Sequence, residues 1–443
     1  PHDIYLPLAV ARIDAAGRVT PPSSVAMLTA DDSLGAMPDA VPREVIPHLF
    51  TALDHAPDEA GPLVWLYPFD EYHAMTFGAE PRLAEVFFGD WLIRAAINEG
   101  LPLNSVVSTS NWLACADQSQ WRSRVLVTPV PDAGTALSAA LLAHVRDGGQ
   151  VLLYGPTDRA DTAWHALLGL RQAEPVAGEM TLRVAGEVDA IEAGALATVV
   201  RHDALLSGGP LTETTADDGH YLALLDTAAG VRVAASVRGN VAWVRGADTL
   251  TLGKGAHLLG HPPTDQAYPG GALLRLALAA LGWEVSFTKV TAGQRVPLTC
   301  MARHRGGWFF SGYVPDTTVG LRLRLPLGAP LLVGAEARLV DGAALYHPPR
   351  AWHRECRVFV EQAGGVLSCV EQHSGEIGIG RRLLVGGLRE ATLRFCPETG
   401  TADQVQFIHN ARYPFIQDTR LPAEREGEVL VVRGVTGQVL ISW

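Results

Sequence analysis

The strongest constraint on this chain is a set of apolar runs in its first half, each separated from the next by a helix-like segment. "GPLVWLYP" (61–68) is almost continuously apolar. Residues 82 to 99 then place Leu83, Val86, Phe87, Trp91 and Ala95 at helical spacing, and Gly100 closes that segment with a left-handed cap. "LPLNSVVS" follows as a strand, and "RVLVTPV" (124–130) as another. Residues 135 to 147 carry Leu137, Ala140, Leu141 and Val145 on one helix face; Gly148 and Gly149 end it before "QVLLY". Strands apolar on both faces and alternating with helices belong to a parallel sheet covered on both sides. "LPLAVARID" (6–14) reads as one more buried strand.

Residues 175 to 250 change character. "MTLRVAG", "LATVVRHD" and "YLALLDTAAGVRVAASVRGNVAWVRG" alternate and are broken by turns, as expected of a β-rich insertion or an edge extension of the sheet. "GGALLRLALAALG" (270–282) returns to helix and "WEVSFTK" to strand. From about 296 the helical period vanishes, and short strands recur every 10 to 15 residues, the pattern of an antiparallel β-sandwich. "GVTGQV" reads as the turn of the last hairpin. The expected fold class is therefore α/β plus all-β. An α/β domain spans 1–295 with its insertion at about 175–250, and a β-sandwich spans 296–443.

At 443 residues the chain has room for such a pair of cores, and 48% hydrophobic against 19% charged content is that of a globular protein. A net charge of −12 argues against nucleic acid as a partner. Arginine nearly excludes lysine, which occurs only at Lys254 and Lys289, a bias of GC-rich bacterial coding. The five cysteines are widely spaced with no CxxC pair, as expected of buried, reduced thiols in a cytoplasmic protein. No run is long and apolar enough for a membrane helix, and no signal peptide opens the chain. Beginning at Pro1 in mid-pattern, the chain reads as a portion of a longer protein.

Few residues present themselves as chemistry. His347 and His353 flank a Pro-Pro turn without a third ligand at metal spacing, so no metal is expected. "HLLGHPPTDQAYPGG" (257–271) offers His261 and Asp265 on a loop, and "GEIGIGRR" (375–382) lacks the helix of a phosphate loop, so no cofactor is expected either. The densest stretch is "YPFDEYHAMTFG" (67–78). It lies beyond the carboxyl end of a parallel strand, where open α/β sheets hold their ligands. Tyr67, Asp70, Glu71, Tyr72 and His73 are the ligand-binding candidates, since aromatics beside carboxylates suit the C–H faces and hydroxyls of sugars. Asp70 and Glu71 are adjacent, so on a strand end they point apart and make a poor pair across a glycosidic bond. The stretch reads either as a binding rim or as a solvated loop with Tyr67 and Phe69 packed inward.

"HVRDGGQVLLYGPTD" resembles the approach to the nucleophile elbow of class I glutamine amidotransferases, whose sheet is flavodoxin-like. The elbow position, which needs Cys or Ser, holds Gly155 and Pro156, and Thr157 reads as a helix N-cap. More broadly, "PLVWLYPFDEYHAM", "LIRAAINEGLPLNSVVS" and "RVLVTPV…LLAHVRDGGQVLLYG" resemble the amidotransferase-like trimerisation domain of family 42 β-galactosidases and their multidomain relatives. "YLPLAVARIDAAGRVTPP" resembles the strand entering such domains. The resemblance covers about 60 to 285 at the level of pattern. It implies a carbohydrate context, a homo-oligomer, a C-terminal β domain, and an upstream TIM barrel holding the catalytic glutamates, so no catalytic residue is assigned here. Three readings stay open. One is a non-catalytic portion of a glycoside hydrolase-like protein; another is a stand-alone sugar- or protein-binding protein. The third is a hydrolase with a site near Asp70, Glu71 and His73.

Overall fold

The computed structural model describes residues 2–22, 38–176, 178–184, 199–202, 212–214, 221–246, 269–289, 294–314, 318–372, 380–409 and 419–443. Strands β1 (Ala11–Arg12), β2 (Leu63–Tyr67), β3 (Ser105–Ser108), β4 (Val125–Pro129) and β5 (Gln150–Tyr154) run parallel in the order β1-β3-β2-β4-β5. Their continuous apolar composition follows from two-sided burial. Leu63, Val125, Val127, Leu152 and Tyr154 join one core, while Val64, Leu66, Leu126, Val151 and Leu153 join another. Successive side chains of a strand point to opposite faces, so each strand feeds both cores.

Helices α1 (His2–Leu8), α2 (Ala40–Asp54), α3 (Phe69–Phe77), α4 (Leu83–Asn98), α5 (Thr109–Ala114), α6 (Ala136–Arg146), α7 (Thr162–Leu168) and α8 (Gly270–Ala280) surround these strands. Leu92, Ile93 and Ala96 of α4 pack with Leu273, Leu274, Ala277 and Leu278 of α8 on the first face. Trp112, Leu137, Leu141, Val145, Trp164 and Leu168 from α5, α6 and α7 cover the second. Local chemistry sets the ends of α6: the Thr135 hydroxyl accepts from the Ser138 amide at 3.1 Å, and Gly148 turns the chain out at φ +89°.

The β-rich segment extends the same sheet. Val241–Val244 pairs parallel with β5, and Gly230–Arg238, Tyr221–Thr227, Gly178–Val184 and Val199–His202 follow it antiparallel. Beyond it lies a second, antiparallel sheet of 14 strands among the described residues. Its spine is the pair Arg382–Phe395 and Val429–Ser442, each 14 residues long.

Three sequence expectations are corrected, and one expected strand finds its partner. "GVTGQV" is no turn: it lies inside the strand Val429–Ser442, which bends with its partner through register shifts between Gly386 and Leu393, where Gly387 takes φ +86°. "WEVSFTK" contributes Glu284–Thr288 to the edge of the antiparallel sheet, paired with Gly320–Arg324 and anchored by ion pairs from Glu284 to Arg322 (2.6 Å) and Arg324 (3.1 Å). The supposed strand 6–14 begins instead as the last three residues of helix α1, because Tyr5 and Leu8 pack against Val45, Leu49 and Ala52 of α2, and its pairing with β3 is confined to Ala11–Arg12. Tertiary packing overrides the strand-like composition there. Finally, residues 69–77 form α3 rather than a loop; Asp70 and Glu71 occupy its first turn, where carboxylates favour the helix dipole.

A histidine-lined joint ties α1 and α2 to the second sheet. Tyr5 stacks on His353 with centroids 4.6 Å apart. His353 places Nε2 2.8 Å from His55 Nδ1 and Nδ1 2.7 Å from Ser311 Oγ. His304 Nδ1 lies 2.7 Å from the Ala56 carbonyl, and the Asp58 carboxylate accepts from the Arg305 amide at 3.0 Å. Next to it, Trp352 is buried, and Glu355 pairs with Arg357 (2.5 Å) and Arg381 (2.6 Å). His347 is exposed, apart from this cluster.

Burial, and then the neighbouring His55, push His353 down to about 3, and burial likewise lowers His55. Both imidazoles are therefore neutral in the folded joint. Their contribution is complete above the unfolded value of about 6.5 and is lost as pH falls from there toward about 3. Melting temperature measured from neutral to mildly acidic pH should fall less steeply in His353→Phe than in the wild type. The difference should correspond to about 1 kcal/mol per pH unit; parallel slopes would contradict the neutral joint.

Candidate active-site cleft at the carboxyl edge

The carboxyl ends of β2, β4 and β5 open onto a cavity of about 350 Å³. One wall comes from α3 (Glu71, Tyr72, Ala74, Met75) and another from the turn after β4 (Pro129–Asp132), with Arg82 before α4 closing a side. A narrower cleft adjoins it, bounded by Tyr72, Glu85, Gly89, Tyr154, Gly155 and Asp158. Glycine at 89 is a steric requirement, because a Cβ there would meet the Tyr72 hydroxyl at 2.8 Å.

Arg82 organises the charge. Its Nη1 donates to Glu85 Oε2 at 2.9 Å and to Asp132 Oδ1 at 3.1 Å, and Nη2 donates to Asp132 Oδ2 at 2.6 Å. The Thr135 hydroxyl, donating to the Asp132 carbonyl at 2.8 Å, holds that turn in place. Burial pushes the Glu85 carboxyl up to about 7; Arg82 pulls against it, and Asp158 and Asp132 add to it. A carboxyl in that range exchanges its proton at neutral pH. Burial likewise holds the Tyr72 phenol above its ordinary range. The Thr128 hydroxyl lines the cavity, is fully buried, and has no hydrogen-bond partner among the described residues.

The five residues singled out in sequence separate here. Tyr72 is 8% exposed and forms a wall; Glu71 lines the cavity, half-buried, and accepts from Thr109 Oγ1 at 2.7 Å. Tyr67 is half-buried behind Tyr72, ring centroids 6.1 Å apart and edge-on. Asp70 and His73 are exposed and outside the cavity, His73 lying against Phe77 at 5.0 Å. Phe69 is 60% exposed, so the inward packing expected of it is overturned. As helix neighbours, Asp70 and Glu71 diverge by about 100°, which separates a solvent-facing acid from a cavity-facing one.

Arg82, Glu85, Asp132, Asp158 and Arg159 were missed. Applying the strand-end rule to β4 ("TPVPD") and β5 ("YGPTDR") as well as to β2 points directly at Asp132, Asp158 and Arg159. At the end of β5, Gly155 takes φ +94° and lines the cleft, and its carbonyl accepts from Trp243 Nε1 at 2.9 Å. No nucleophilic side chain occupies that corner. Thr157 is not the expected helix cap, since α7 begins at Thr162. Its buried hydroxyl accepts from Gln172 Nε2 at 3.2 Å. His261 and Asp265 lie outside the described residues. Among the described residues no group of His, Cys, Asp or Glu could hold a metal ion, all five cysteines are buried free thiols, and no helix is long and apolar enough to cross a membrane.

No protein-family model and no curated protein matches this chain. Among solved structures it is similar to a cold-adapted beta-galactosidase from Rahnella sp. R3, at 10% identity and a TM-score of 0.36 over 70% of this chain. The chain spans 43% of the length of that protein.

Carboxyl ¹³C titration by NMR tests the cavity's electrostatics. Glu85 should titrate at about 7, and Arg82→Gln, which removes the cation opposing the shift, should move it higher. Titration in the ordinary range near 4.5 would contradict the buried, carboxylate-crowded site.

Proposed function

We propose that this chain is the non-catalytic portion of a glycoside hydrolase-like protein, and that its parallel-sheet half binds and shapes a carbohydrate site. The observation that carries the reading is the cavity at the carboxyl edge of β2, β4 and β5. Its apolar walls, Tyr72, Met75, Pro129 and Val130, suit the C–H faces of a sugar, while the Arg82–Asp132 pair and Glu71 suit its hydroxyls. Its volume suits one or two sugar rings.

Two features favour binding over cleavage. Glu85 and Asp132 share one Arg82 nitrogen, so a guanidinium fills the space between them where a glycosidic oxygen would have to sit. The corner after β5 presents Gly155 and Pro156 where an amidotransferase-like domain would carry its nucleophile. The sequence patterns that resemble those of family 42 β-galactosidases add an upstream catalytic barrel to the reading. On this reading 1–295 is the amidotransferase-like domain and 296–443 the β-sandwich, with Glu284–Thr288 pairing with the latter's sheet. Homo-oligomer assembly has its support in Phe69, Phe77, Leu83 and Phe87 on α3 and α4, all more than half exposed.

Calorimetry against a panel of mono- and disaccharides tests the proposal. Weak binding is expected, weakened by about tenfold in Asp132→Ala, with no cleavage of nitrophenyl glycosides. Failure of every sugar to bind would overturn the reading, as would glycoside cleavage abolished by Glu85→Gln.

A further inference from the structure

The cavity's ionisable side chains are unequal in sign. Glu71, Glu80, Glu85, Asp132 and Asp158 face Arg82 and Arg159, five carboxyls against two guanidiniums. Glu80, Asp158 and Arg159 stand at the exposed mouth; within, the half-buried Glu71, Glu85 and Asp132 outnumber Arg82, which Glu85 and Asp132 hold, so the interior is negative. A low-dielectric cleft lined by one sign of charge focuses its field on whatever enters. Glu85 registers that field: besides burial, Asp158 and Asp132 both favour its protonated form.

Charge alone would suit any cation. The buried Thr128 hydroxyl points to a second property of the ligand. It lines the cavity without a partner, and an unmade hydrogen bond of this kind costs about 1–3 kcal/mol. The neighbouring Tyr72 hydroxyl is shared with the Tyr154 hydroxyl and lines the same wall. Both hydroxyls can donate to a ligand hydroxyl and accept from one, which a bare metal ion or an alkylammonium does not reciprocate.

We infer that the site selects a sugar bearing a cationic amine, with its ammonium in the adjoining cleft, which Glu85 and Asp158 line and Arg82 does not, and its hydroxyls toward Thr128 and Tyr72 in the cavity. This rests on the carbohydrate reading above and deepens it. An ammonium entering the site favours the charged form of Glu85, so binding releases a proton to solvent and tightens as pH rises toward neutrality. Neutral sugars gain only the hydroxyl contacts, and uronic acids meet repulsion.

Calorimetry with glucosamine, glucose, N-acetylglucosamine and glucuronate, at about pH 5.5 and about pH 7.5, tests the inference. At the higher pH glucosamine should bind about tenfold more tightly than glucose or N-acetylglucosamine, and the advantage should shrink at the lower pH. Glu85→Gln should remove the pH dependence. Asp158→Asn, an exposed change that leaves the Arg82 pairs intact, should reduce the preference for the amine; thermal melts of both variants establish that they fold. Equal affinity for glucosamine and glucose would overturn the inference while leaving the carbohydrate reading intact. Tighter binding of glucuronate would do the same, and no binding by any of the four would overturn both.

Discussion

Two-sided burial of β2, β4 and β5 is the constraint on which the rest of this structure depends. The apolar side chains at the centre of those strands are committed to one of two cores, with Val64, Leu66, Val125, Leu126, Val151 and Leu152 all at or near zero exposure. A strand with no free face has no room for a charged functional group along its middle. Polar chemistry is displaced to the point where the strands stop, and there Asp132, Asp158 and Glu71 converge although they are far apart in sequence. The same commitment fixes the extension: Val241–Val244 adds beside β5 with an apolar strand of its own, each residue buried.

Electrostatics then follows from the packing. Glu85 sits on α4, whose Leu92, Ile93 and Ala96 are drawn into the core with α8, so its carboxyl is carried out of water by its helix rather than placed by its own preference. Arg82 makes that tolerable by serving two acids at once, a bidentate arrangement suited to a guanidinium and not to a lysine ammonium. The histidine joint answers a related problem with the opposite chemistry. Between α2 and the antiparallel sheet, His55 and His353 stay uncharged and satisfy one another, where two acids or two cations would repel.

The parts of this fold that were legible in sequence are those whose burial leaves a regular trace. β2, β4 and β5 show as unbroken apolar runs, and α4 and α6 show as apolar residues at helical spacing ended by glycine. Helix α3 left no such trace, because its two phenylalanines, Phe69 and Phe77, are at its ends and exposed while only Tyr72 is buried. Helix α1 is short, contains Pro7, and is helical because of α2 and the second sheet, contacts that no local pattern encodes. The long strand Val429–Ser442 was hidden by its two glycines, which mark a bend shared with its partner and not a reversal. Of the cavity, the sequence disclosed the wall that follows β2, including Tyr72 and Glu71. The charged side came from loops after β4 and β5 and from the start of α4, which only the sheet order brings together.

The central claim is that ligand recognition lies at the carboxyl edge of the parallel sheet and not on the antiparallel half. Hydrogen–deuterium exchange, measured by mass spectrometry on this chain with and without a saturating saccharide, tests it most directly. The account predicts added protection in α3 and in the turns after β4 and β5, with the strands from 298 onward unchanged. Protection confined to the antiparallel sheet, or none at the strand ends when a sugar is bound, would contradict it.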